Sequence, residues 1–283
     1  MQHSASQTDA GLIDALTTIV SKAAAVIMIV RQGIPGGALN TRVKPDHSPV
    51  TAADEASEAT ILAGLGDVLP GVPTVSEEAF GRSPPRLEGN NFVLIDPLDG
   101  TREFVAGSDE FCINLAVVAN GRPRLGIIAA PALGLFWRTA AGGGAERLQL
   151  HPGEPAAHAR DITPIQPRAW PRTDATAAVS RSHLDPGTEA FLRDLQITRK
   201  IPGGSAIKLC RIAEGSVDVY PRLAPVSEWD VAAGDAIIGS AGGVVSAPDG
   251  RPLAYGRADQ RFIVPAFVAF GDRQAWSRLP RPS

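Results

Sequence analysis

Hydrophobic and polar positions follow a helical spacing in some segments of this chain and form short apolar runs in others. Apolar residues that recur every three or four positions predict amphipathic helices, and short apolar runs between turn residues predict buried strands. The predicted helices cover residues 9–31, 54–66, 186–195, 205–214 and 229–241. The predicted strands cover residues 72–76, 91–96, 113–119, 125–130, 175–181, 197–201, 216–220 and 266–270. This mixture of elements indicates an α/β (α+β) fold built in layers.

The dipeptide Asn120-Gly121 lies between two of the apolar runs and predicts a tight hairpin turn. A second hairpin is predicted around Asp249, where Pro, Asp and Gly follow one another. Both turns join segments that are close in sequence, so they predict antiparallel strand pairs.

A long segment without clear periodicity separates the two halves of the chain. Residues 140–172 are rich in Gly, Pro and His, which is typical of loops and linkers. We therefore place a domain boundary near residues 155–165. This division predicts an N-terminal α+β domain over residues 1–160 and a C-terminal α/β domain over residues 161–283.

Composition excludes some classes of partner. The chain has 283 residues and a net charge of −3, which gives no general attraction to nucleic acid or to an anionic membrane. We expect no signal peptide, and the apolar stretch 23–30 is too short to span a bilayer. Cys112 and Cys210 form no disulfide framework and suit a reducing cytoplasm. A cytoplasmic location is therefore expected, with peripheral association with the inner membrane left open.

The segment from Asp96 to Thr101 carries the strongest chemical signal. Asp96 and Asp99 lie three residues apart at the end of a predicted buried strand, and burying unpaired carboxylates costs several kcal/mol, roughly. A hard divalent cation such as Mg²⁺ removes that cost, because it prefers carboxylate oxygens. Pro97 and Gly100 predict a sharp turn that leaves the amides of Gly100 and Thr101 able to hold an anion. The segment therefore predicts metal-assisted phosphate chemistry.

Acidic residues in three further segments fit the same chemistry. Asp54 lies at the start of a predicted helix, Glu77 and Glu78 end a predicted strand, and Asp230 lies in the first turn of another helix. Taken alone, Asp54 and Asp230 also fit ordinary acids at helix N-termini. The chain lacks the Walker A loop, the G-x-G-x-x-G loop, the G-x-S-x-G elbow and zinc-like His spacing. These absences weaken NTPase, dinucleotide, serine hydrolase and zinc interpretations.

These motifs together resemble the inositol monophosphatase superfamily of lithium-sensitive, Mg²⁺-dependent phosphatases, which includes fructose-1,6-bisphosphatase. The resemblance covers residues from about 9 to about 270, and within the superfamily it is strongest to 3′(2′),5′-bisphosphate nucleotidases of the bacterial CysQ type. The segments that carry it are 46–54, 75–78, 96–104, 179–183, 203–208, 219–222 and 229–230. The resemblance implies a layered αβαβα sandwich with the metals between two domains.

The resemblance also implies a set of metal ligands and a catalytic pair. The implied ligands of two or three Mg²⁺ ions are Glu77, Asp96, the backbone carbonyl of Leu98, Asp99 and Asp230. Glu77 would also orient the attacking water, whereas Glu78 would lie behind the ligands or at the surface. Thr101 would take a proton from that water while donating its own hydroxyl hydrogen bond to Asp54.

The expected substrate contacts follow from the same resemblance. Residues that match the nucleotide pocket or the phosphate site are Gly100, Thr101, Ser180, His183, Gly204 and Lys208. Arg222 and Arg102 are further candidates for the phosphate that is not cleaved. Arg102 stands where the nucleotidases often have Lys, and Gly204 stands where they have Ser, which leaves the base preference open.

The predicted reaction converts adenosine 3′,5′-bisphosphate (PAP) to AMP and phosphate, which removes a by-product of sulfate assimilation. One alternative is an inositol monophosphatase or another sugar-phosphate monoesterase on the same scaffold. An alternative of another class is a non-catalytic protein that senses metal and nucleotide. The expected partner is a small nucleotide bisphosphate rather than nucleic acid, and a homodimer is left open. Lithium sensitivity follows from the resemblance alone.

Overall fold

A computed structural model describes residues 2–33, 42–43, 49–82, 87, 89–171, 173–181 and 184–276. Its helices are α1 (Gln2–Gln32), α2 (Ala52–Val68), α3 (Glu77–Arg82), α4 (Thr101–Val105), α5 (Pro186–Asp194), α6 (Ile207–Ala213), α7 (Glu228–Ala241) and α8 (Arg273–Trp276). Its strands are β1 (Arg42–Val43), β2 (Pro49–Val50), β3 (Thr74–Ser76), β4 (Phe92–Asp99), β5 (Cys112–Ala119), β6 (Arg122–Ala130), β7 (Leu135–Thr139), β8 (Ala145–Gln149), β9 (Arg160–Ile165), β10 (Thr176–Ser180), β11 (Arg199–Gly203), β12 (Val219–Arg222), β13 (Val226–Ser227), β14 (Val244–Ser246), β15 (Ile263–Val264) and β16 (Phe267–Phe270).

Two sheets organise these strands. The larger sheet has seven strands in the order β3-β4-β5-β6-β7-β8-β9, in which only β3 and β4 pair in parallel among the described strands. The smaller sheet has five strands in the order β11-β10-β12-β16-β14. Strand β10 runs parallel to β11 and β12, and β16 runs antiparallel to β12 and β14. Two short ladders, β1–β2 and β13–β15, complete the pairing.

The helices separate and cover the sheets. Helices α1 and α2 lie on one face of the larger sheet, where Ile27 and Ile61 share a buried cluster with Ile127. Helices α6 and α7 lie between the two sheets, in a second cluster that joins residues of both sheets. Helices α5 and α8 cover the outer face of the smaller sheet through Phe191 and Trp276. This order of layers confirms the predicted αβαβα sandwich.

Helix α7 lies unusually close to the larger sheet. A Cβ atom added at Gly126 of β6 would lie 2.3 Å from the carbonyl oxygen of Ala233, which no real side chain tolerates. Small residues on both sides therefore allow α7 to pack directly on the middle of the sheet. This close packing fixes the first turn of α7, and with it Asp230, against the end of β4.

Helix α1 is a core helix of the fold. Residues Ala10–Gln32 are long and apolar enough to cross a membrane by length and composition alone, but half of the most apolar window is buried within the fold. Leu16, Val20 and Ile27 are fully buried against α2 and the larger sheet. The predicted helix over residues 9–31 is thus confirmed, and it packs against the rest of the fold.

The structure corrects the prediction for residues 140–172. This segment contains β8 and β9, which extend the larger sheet instead of forming a loop. Strand β9 is an edge strand with almost all of its side chains exposed, so it lacks the alternation of apolar residues that reveals a strand. The predicted domain division after residue 160 falls at the first residue of β9 and stays a prediction.

A partly buried acid on α7 gives a pH-dependent contribution to stability. Asp235 accepts a hydrogen bond of 2.8 Å from the hydroxyl of Tyr255, and burial raises the pKa of Asp235 from 3.8 to about 6. The folded protein therefore binds a proton more tightly than the unfolded chain, and the associated stability is lost as pH rises from about 4 to about 6. We expect Asp235→Asn to remove this loss, which is on the order of 3 kcal/mol.

Urea unfolding of both proteins between pH 4 and pH 7, with EDTA present, measures this effect as a difference between the two free energies of unfolding. Asp235→Asn should gain stability relative to the parent protein as pH rises, and the gain should level off near pH 7. Tyr255→Phe is the control, because loss of its hydroxyl raises the pKa of Asp235 further and shifts the transition to higher pH. A difference that does not vary with pH would contradict the assignment.

Candidate active site

Three carboxylates from three elements meet at one edge of the larger sheet. Glu77 is the first residue of α3, Asp96 lies in β4, and Asp230 lies in the first turn of α7. One oxygen of each lies within 4.8 Å of the others. Strands β3 and β4 pair in parallel with Ser76 opposite Ile95, so the next residues along the two segments, Glu77 and Asp96, lie side by side. The sequence prediction grouped these acids correctly, although Glu77 begins a helix rather than ending a strand.

Mutual repulsion between these carboxylates makes the cluster suited to a cation. Burial, followed by the charges of Glu77, Asp99 and Asp230, raises the pKa of Asp96 well above its usual value. Burial, followed by the charges of Asp99 and Glu77, raises the pKa of Asp230 to about 8, and Arg222 opposes that rise. The carboxyls of Asp96 and Asp230 lie close enough to influence each other's pKa. Oxygen ligands with this much unbalanced charge suit a hard divalent cation.

Asp99 belongs to the same cleft but is held differently. A bulge between Asp96 and Asp99 interrupts the pairing of β4 with β5. One oxygen of Asp99 (Oδ2) then accepts hydrogen bonds from Asn114 Nδ2 at 3.2 Å, Ser205 Oγ at 2.7 Å and the Ala206 amide at 2.7 Å. These contacts link the larger sheet to the loop before α6. The ligand roles of Asp99 and of the Leu98 carbonyl stay predictions.

Thr101 and Asp54 form the expected hydrogen-bonded pair. Thr101 Oγ1 lies 3.1 Å from Asp54 Oδ1 and also 3.1 Å from the carbonyl oxygen of Leu98. The other oxygen of Asp54 accepts hydrogen bonds from the amide and the hydroxyl of Thr51, both at 2.7 Å. Asp54 is therefore both the capping acid of α2 and the partner of Thr101, so its two interpretations are compatible.

Two glycines allow the loops around the cleft to approach each other. Gly100 has a left-handed backbone (φ 87°, ψ 40°) and immediately precedes α4. A Cβ atom at Gly204 would lie 2.8 Å from the carbonyl oxygen of Glu110, so a larger residue would push these loops apart. That close contact explains why Gly stands at 204, where the resemblance predicted Ser. The amides of Gly100 and Thr101 as an anion site stay a prediction.

The cleft above the acids has a volume of about 390 Å³ and contains most of the predicted substrate residues. Of the substrate residues predicted outside the segment 96–101, the cleft is lined by Ser180, Gly204, Lys208 and Arg222, together with the candidate Arg102. His183 lies outside the described residues. Arg222 presents a buried Nε atom for which the described residues supply no hydrogen-bond partner. Such an atom is costly to bury unless a bound group completes its hydrogen bonding.

Lys208 has a more internal position than a solvated helical lysine. Its side chain is 4 % exposed, and its ammonium donates to the carbonyl oxygens of Ser205 at 2.6 Å and Gly203 at 3.2 Å. The ammonium also lies 5.2 Å from the centre of the Tyr220 ring. Lys208 thus stabilises the loop that holds Asp99, and it also adds positive charge to the cleft.

Sequence reasoning missed several residues that support the site. Asn114 and Ser205 hold Asp99, and Ser57 and Glu58 of α2 contact the two loops that carry the acids. A signal for Ser57 and Glu58 was present, because they occupy buried helical positions in line with the apolar Ile61. Polar residues inside an apolar stripe indicate partners within the fold.

The sequence model described as the inositol monophosphatase family matches residues 12–276. The chain belongs to the inositol monophosphatase family. Members of this family are metal-dependent phosphatases, which agrees with the chemistry of the acidic cluster. The predicted family is therefore confirmed.

Relatives within the family are similar over nearly the whole chain. The 3′(2′),5′-bisphosphate nucleotidase CysQ of Escherichia coli is 33 % identical over 263 residues, covering 90 % of this chain and 98 % of that protein. The protein of the same name from Salmonella typhimurium is 36 % identical over 231 residues, covering 79 % and 86 %. The crystal structure of CysQ from Bacteroides thetaiotaomicron, 32 % identical, superposes with a TM-score of 0.73 and covers 92 % of this chain and 96 % of that one.

Proposed function

We propose that this family member is an Mg²⁺-dependent phosphatase that hydrolyses the 3′-phosphate of PAP to give AMP and phosphate. The nucleotidase names of its relatives support the substrate class. The observation that carries the proposal is the meeting of Glu77, Asp96 and Asp230 in a cleft that Lys208 and Arg222 also line. Acids that hold cations and basic groups that hold phosphate are the two components that phosphate ester hydrolysis requires.

The acidic cluster is the proposed place of the metal. Glu77, Asp96 and Asp230 would hold Mg²⁺, and Asp99 with the Leu98 carbonyl would extend the site to two or three ions. When bound, the metal neutralises phosphate charge and lowers the pKa of a coordinated water. The three carboxylates are pre-positioned for this, because α3, β4 and α7 bring one oxygen of each within 4.8 Å of the others.

Thr101 and Asp54 are the proposed positioning pair for the attacking water. Asp54 accepts the hydroxyl hydrogen of Thr101, which leaves the lone pairs of the hydroxyl directed at the water. The water oxygen forms a bond to phosphorus while the bond from phosphorus to the ribose 3′ oxygen breaks. One proton of the water ends on that ribose oxygen and the other on the phosphate, so no covalent enzyme intermediate is needed.

Basic residues at the other side of the cleft are proposed to hold the phosphate that is not cleaved. The buried Nε of Arg222 is the best placed donor, since the described residues leave it unpartnered. Lys208 contributes charge while it holds the loop, and Arg102 also lines the cleft. Ser180 and Gly204 line the part of the cleft that is proposed to hold the nucleoside.

A sugar-alcohol phosphate is the second candidate substrate. Glu103 lines the cleft, and its carboxylate would lie 3.4 Å from a Cβ atom added at Gly100. A carboxylate at this position is suited to accept hydrogen bonds from ring hydroxyls. PAP remains the preferred substrate, because Arg102, Lys208 and Arg222 also line the cleft and can hold a second phosphate.

The test is phosphate release from PAP and from inositol 1-phosphate, measured side by side with Mg²⁺ and with EDTA. We expect a strong preference for PAP that EDTA abolishes. Arg222→Lys should raise the KM for PAP, since the Nε donor is lost, whereas Arg251→Lys on an exposed turn is the matched control. Preference for inositol 1-phosphate would overturn the nucleotide assignment and retain the metal site.

The location, biological role and assembly of the protein are also proposed. We propose a cytoplasmic location, because Cys112 and Cys210 are free and buried, which suits a reducing compartment. Removal of a by-product of sulfate assimilation follows from the proposed substrate. Lithium sensitivity, a homodimer and peripheral membrane association stay predictions.

A further inference from the structure

Helix α2 presents a row of buried polar side chains toward the metal site. Asp54, Ser57 and Glu58 lie three and four residues apart, so they share one face of the helix. Their exposed fractions are 1 %, 0 % and 3 %. Only Asp54 was expected from sequence to take part in the site. Together the three contact the two segments that carry Glu77 and Asp96.

Glu58 holds the segment that carries Glu77. One oxygen of Glu58 (Oε1) accepts a hydrogen bond from the hydroxyl of Ser76 and another, of 2.8 Å, from the amide of Ala79. These two donors lie immediately before and two residues after Glu77. Because α3 begins at Glu77, the Ala79 amide is one of the N-terminal groups that lack a partner within a helix. Glu58 thus completes the hydrogen bonding of the turn from β3 into α3.

Ser57 holds the segment that carries Asp96. Its hydroxyl donates a hydrogen bond of 2.8 Å to the carbonyl oxygen of Pro97. Pro97 lies between Asp96 and Leu98, where β4 departs from regular pairing with β5. A carbonyl that leaves the ladder needs another donor when buried, and Ser57 provides it. Asp54, one turn earlier, holds Thr101 in the same way.

We propose that Ser57 and Glu58 are positioning residues for the metal site, so that one face of α2 sets the relative placement of Glu77 and Asp96. The inference rests on the proposed function only in assuming that these acids hold a metal. Glu77 and Asp96 lie in two segments that are hydrogen bonded to α2 independently, one through Glu58 and the other through Ser57. Their oxygens must lie within a few ångströms of each other to share a cation. Loss of the hydrogen bonds made by Ser57 or by Glu58 should therefore weaken metal binding more than it weakens contacts with the nucleotide.

The test is calorimetric titration of Mg²⁺ and Mn²⁺ into the full-length protein without substrate. Partners that orient metal ligands typically change metal affinity by about 10- to 100-fold when removed, so we expect Glu58→Ala to weaken binding about tenfold or more. Glu58→Gln keeps an oxygen that accepts both hydrogen bonds and should stay within about twofold of the parent protein. Ser57→Ala should weaken binding by about threefold, as the loss of one neutral hydrogen bond implies.

Matched variants separate positioning from general loss of stability. Ile61→Val shortens a buried side chain of the same helix without touching the site, and it should lower the melting temperature but keep the metal affinity. Ser76→Ala removes the same hydrogen bond from its other end and should weaken metal binding even if Glu58→Ala does not fold. The KM for PAP should change less than the metal affinity in both Ser57→Ala and Ser76→Ala.

Three outcomes would overturn the inference. The first is unchanged metal affinity in Glu58→Ala and Ser76→Ala. The second is equal weakening by Glu58→Gln and Glu58→Ala, which would assign the effect to charge. The third is equal weakening by Ile61→Val, which would assign it to stability. Failure of the nucleotide assignment is distinguished, because metal binding by these variants is measured without substrate.

Discussion

Asp96→Asn is expected to reduce phosphate release from PAP by about three orders of magnitude or more, which corresponds to at least about 4 kcal/mol in the activation free energy. The same variant should make the metal-free protein more stable. Asp96 is the most deeply buried member of the acidic cluster, with 2 % of its surface exposed. An amide of the same shape keeps one oxygen but loses the charge that a cation requires.

The opposite signs of these two effects have one cause. Burial and the charges of Glu77, Asp99 and Asp230 raise the pKa of Asp96, so ionised Asp96 opposes folding at neutral pH when no cation is bound. The amide removes that opposition, and we expect a gain on the order of 1–2 kcal/mol without metal. Mg²⁺ should then stabilise the parent protein and leave the variant unchanged, because only a protein that binds the ion is stabilised by it.

Steady-state kinetics and thermal unfolding with Mg²⁺ or EDTA test both effects. Asp235→Asn is the matched control, since it also neutralises an acid whose pKa burial has raised, but on the part of α7 away from the cluster. The control should gain stability at neutral pH and keep its activity and its response to Mg²⁺. An Asp96→Asn variant that is less stable than the parent protein in EDTA would contradict the proposed charge repulsion.

The segments with several chemical signals in a short stretch were predictable from the sequence. The run from Asp96 to Thr101 combines a buried strand, two acids and a glycine that adopts a left-handed backbone, and the structure places all of these at one edge of the larger sheet. The helices α2 and α7 were predicted because small and apolar residues recur at helical spacing. In each case the residues that favour the local secondary structure are also the residues that the tertiary packing requires.

The contacts between distant segments were not predictable in the same way. The position of Glu58 in line with Ile61 indicates a partner within the fold, but only the structure identifies the partners as Ser76 and Ala79. Lys208 lines the cleft, but the sequence did not show that its ammonium donates hydrogen bonds to the carbonyl oxygens of Gly203 and Ser205. Strand β9 was missed because edge strands need little apolar surface. Such features depend on which distant segments of the chain pack together. The spacing of apolar residues along the sequence does not reveal those contacts.

Thr101→Val is expected to lower kcat for PAP by about 10²- to 10⁴-fold while metal affinity stays within a few-fold of the parent protein. The side chain keeps its shape but loses the hydroxyl that lies 3.1 Å from Asp54 Oδ1. Thr101 is thus the proposed link between a fixed carboxylate and the attacking water. Thr101→Ser restores the hydroxyl and should recover most of the activity.

Asp54 and Thr101 should act as one unit if this assignment is right. Asp54→Asn keeps the hydrogen bonds of the α2 cap in part but no longer orders the Thr101 hydroxyl as a fixed donor, so it should lower kcat as well. The double variant should lose little more than the worse single variant, since both remove the same function. Thr60→Val is the control, because it removes a hydroxyl hydrogen bond of 2.8 Å on α2 that has no contact with the site.

The test is to measure kcat at saturating Mg²⁺ for the parent protein, Thr101→Val, Asp54→Asn and the double variant. The comparison separates a joint function of the two residues from independent contributions. Additive losses in the double variant would show that Asp54 acts only through the α2 cap and that Thr101 acts alone. An active Thr101→Val would remove the hydroxyl from the mechanism altogether. In that case the placement of the water would depend on Glu77, the acid of the cluster whose position Glu58 is proposed to fix.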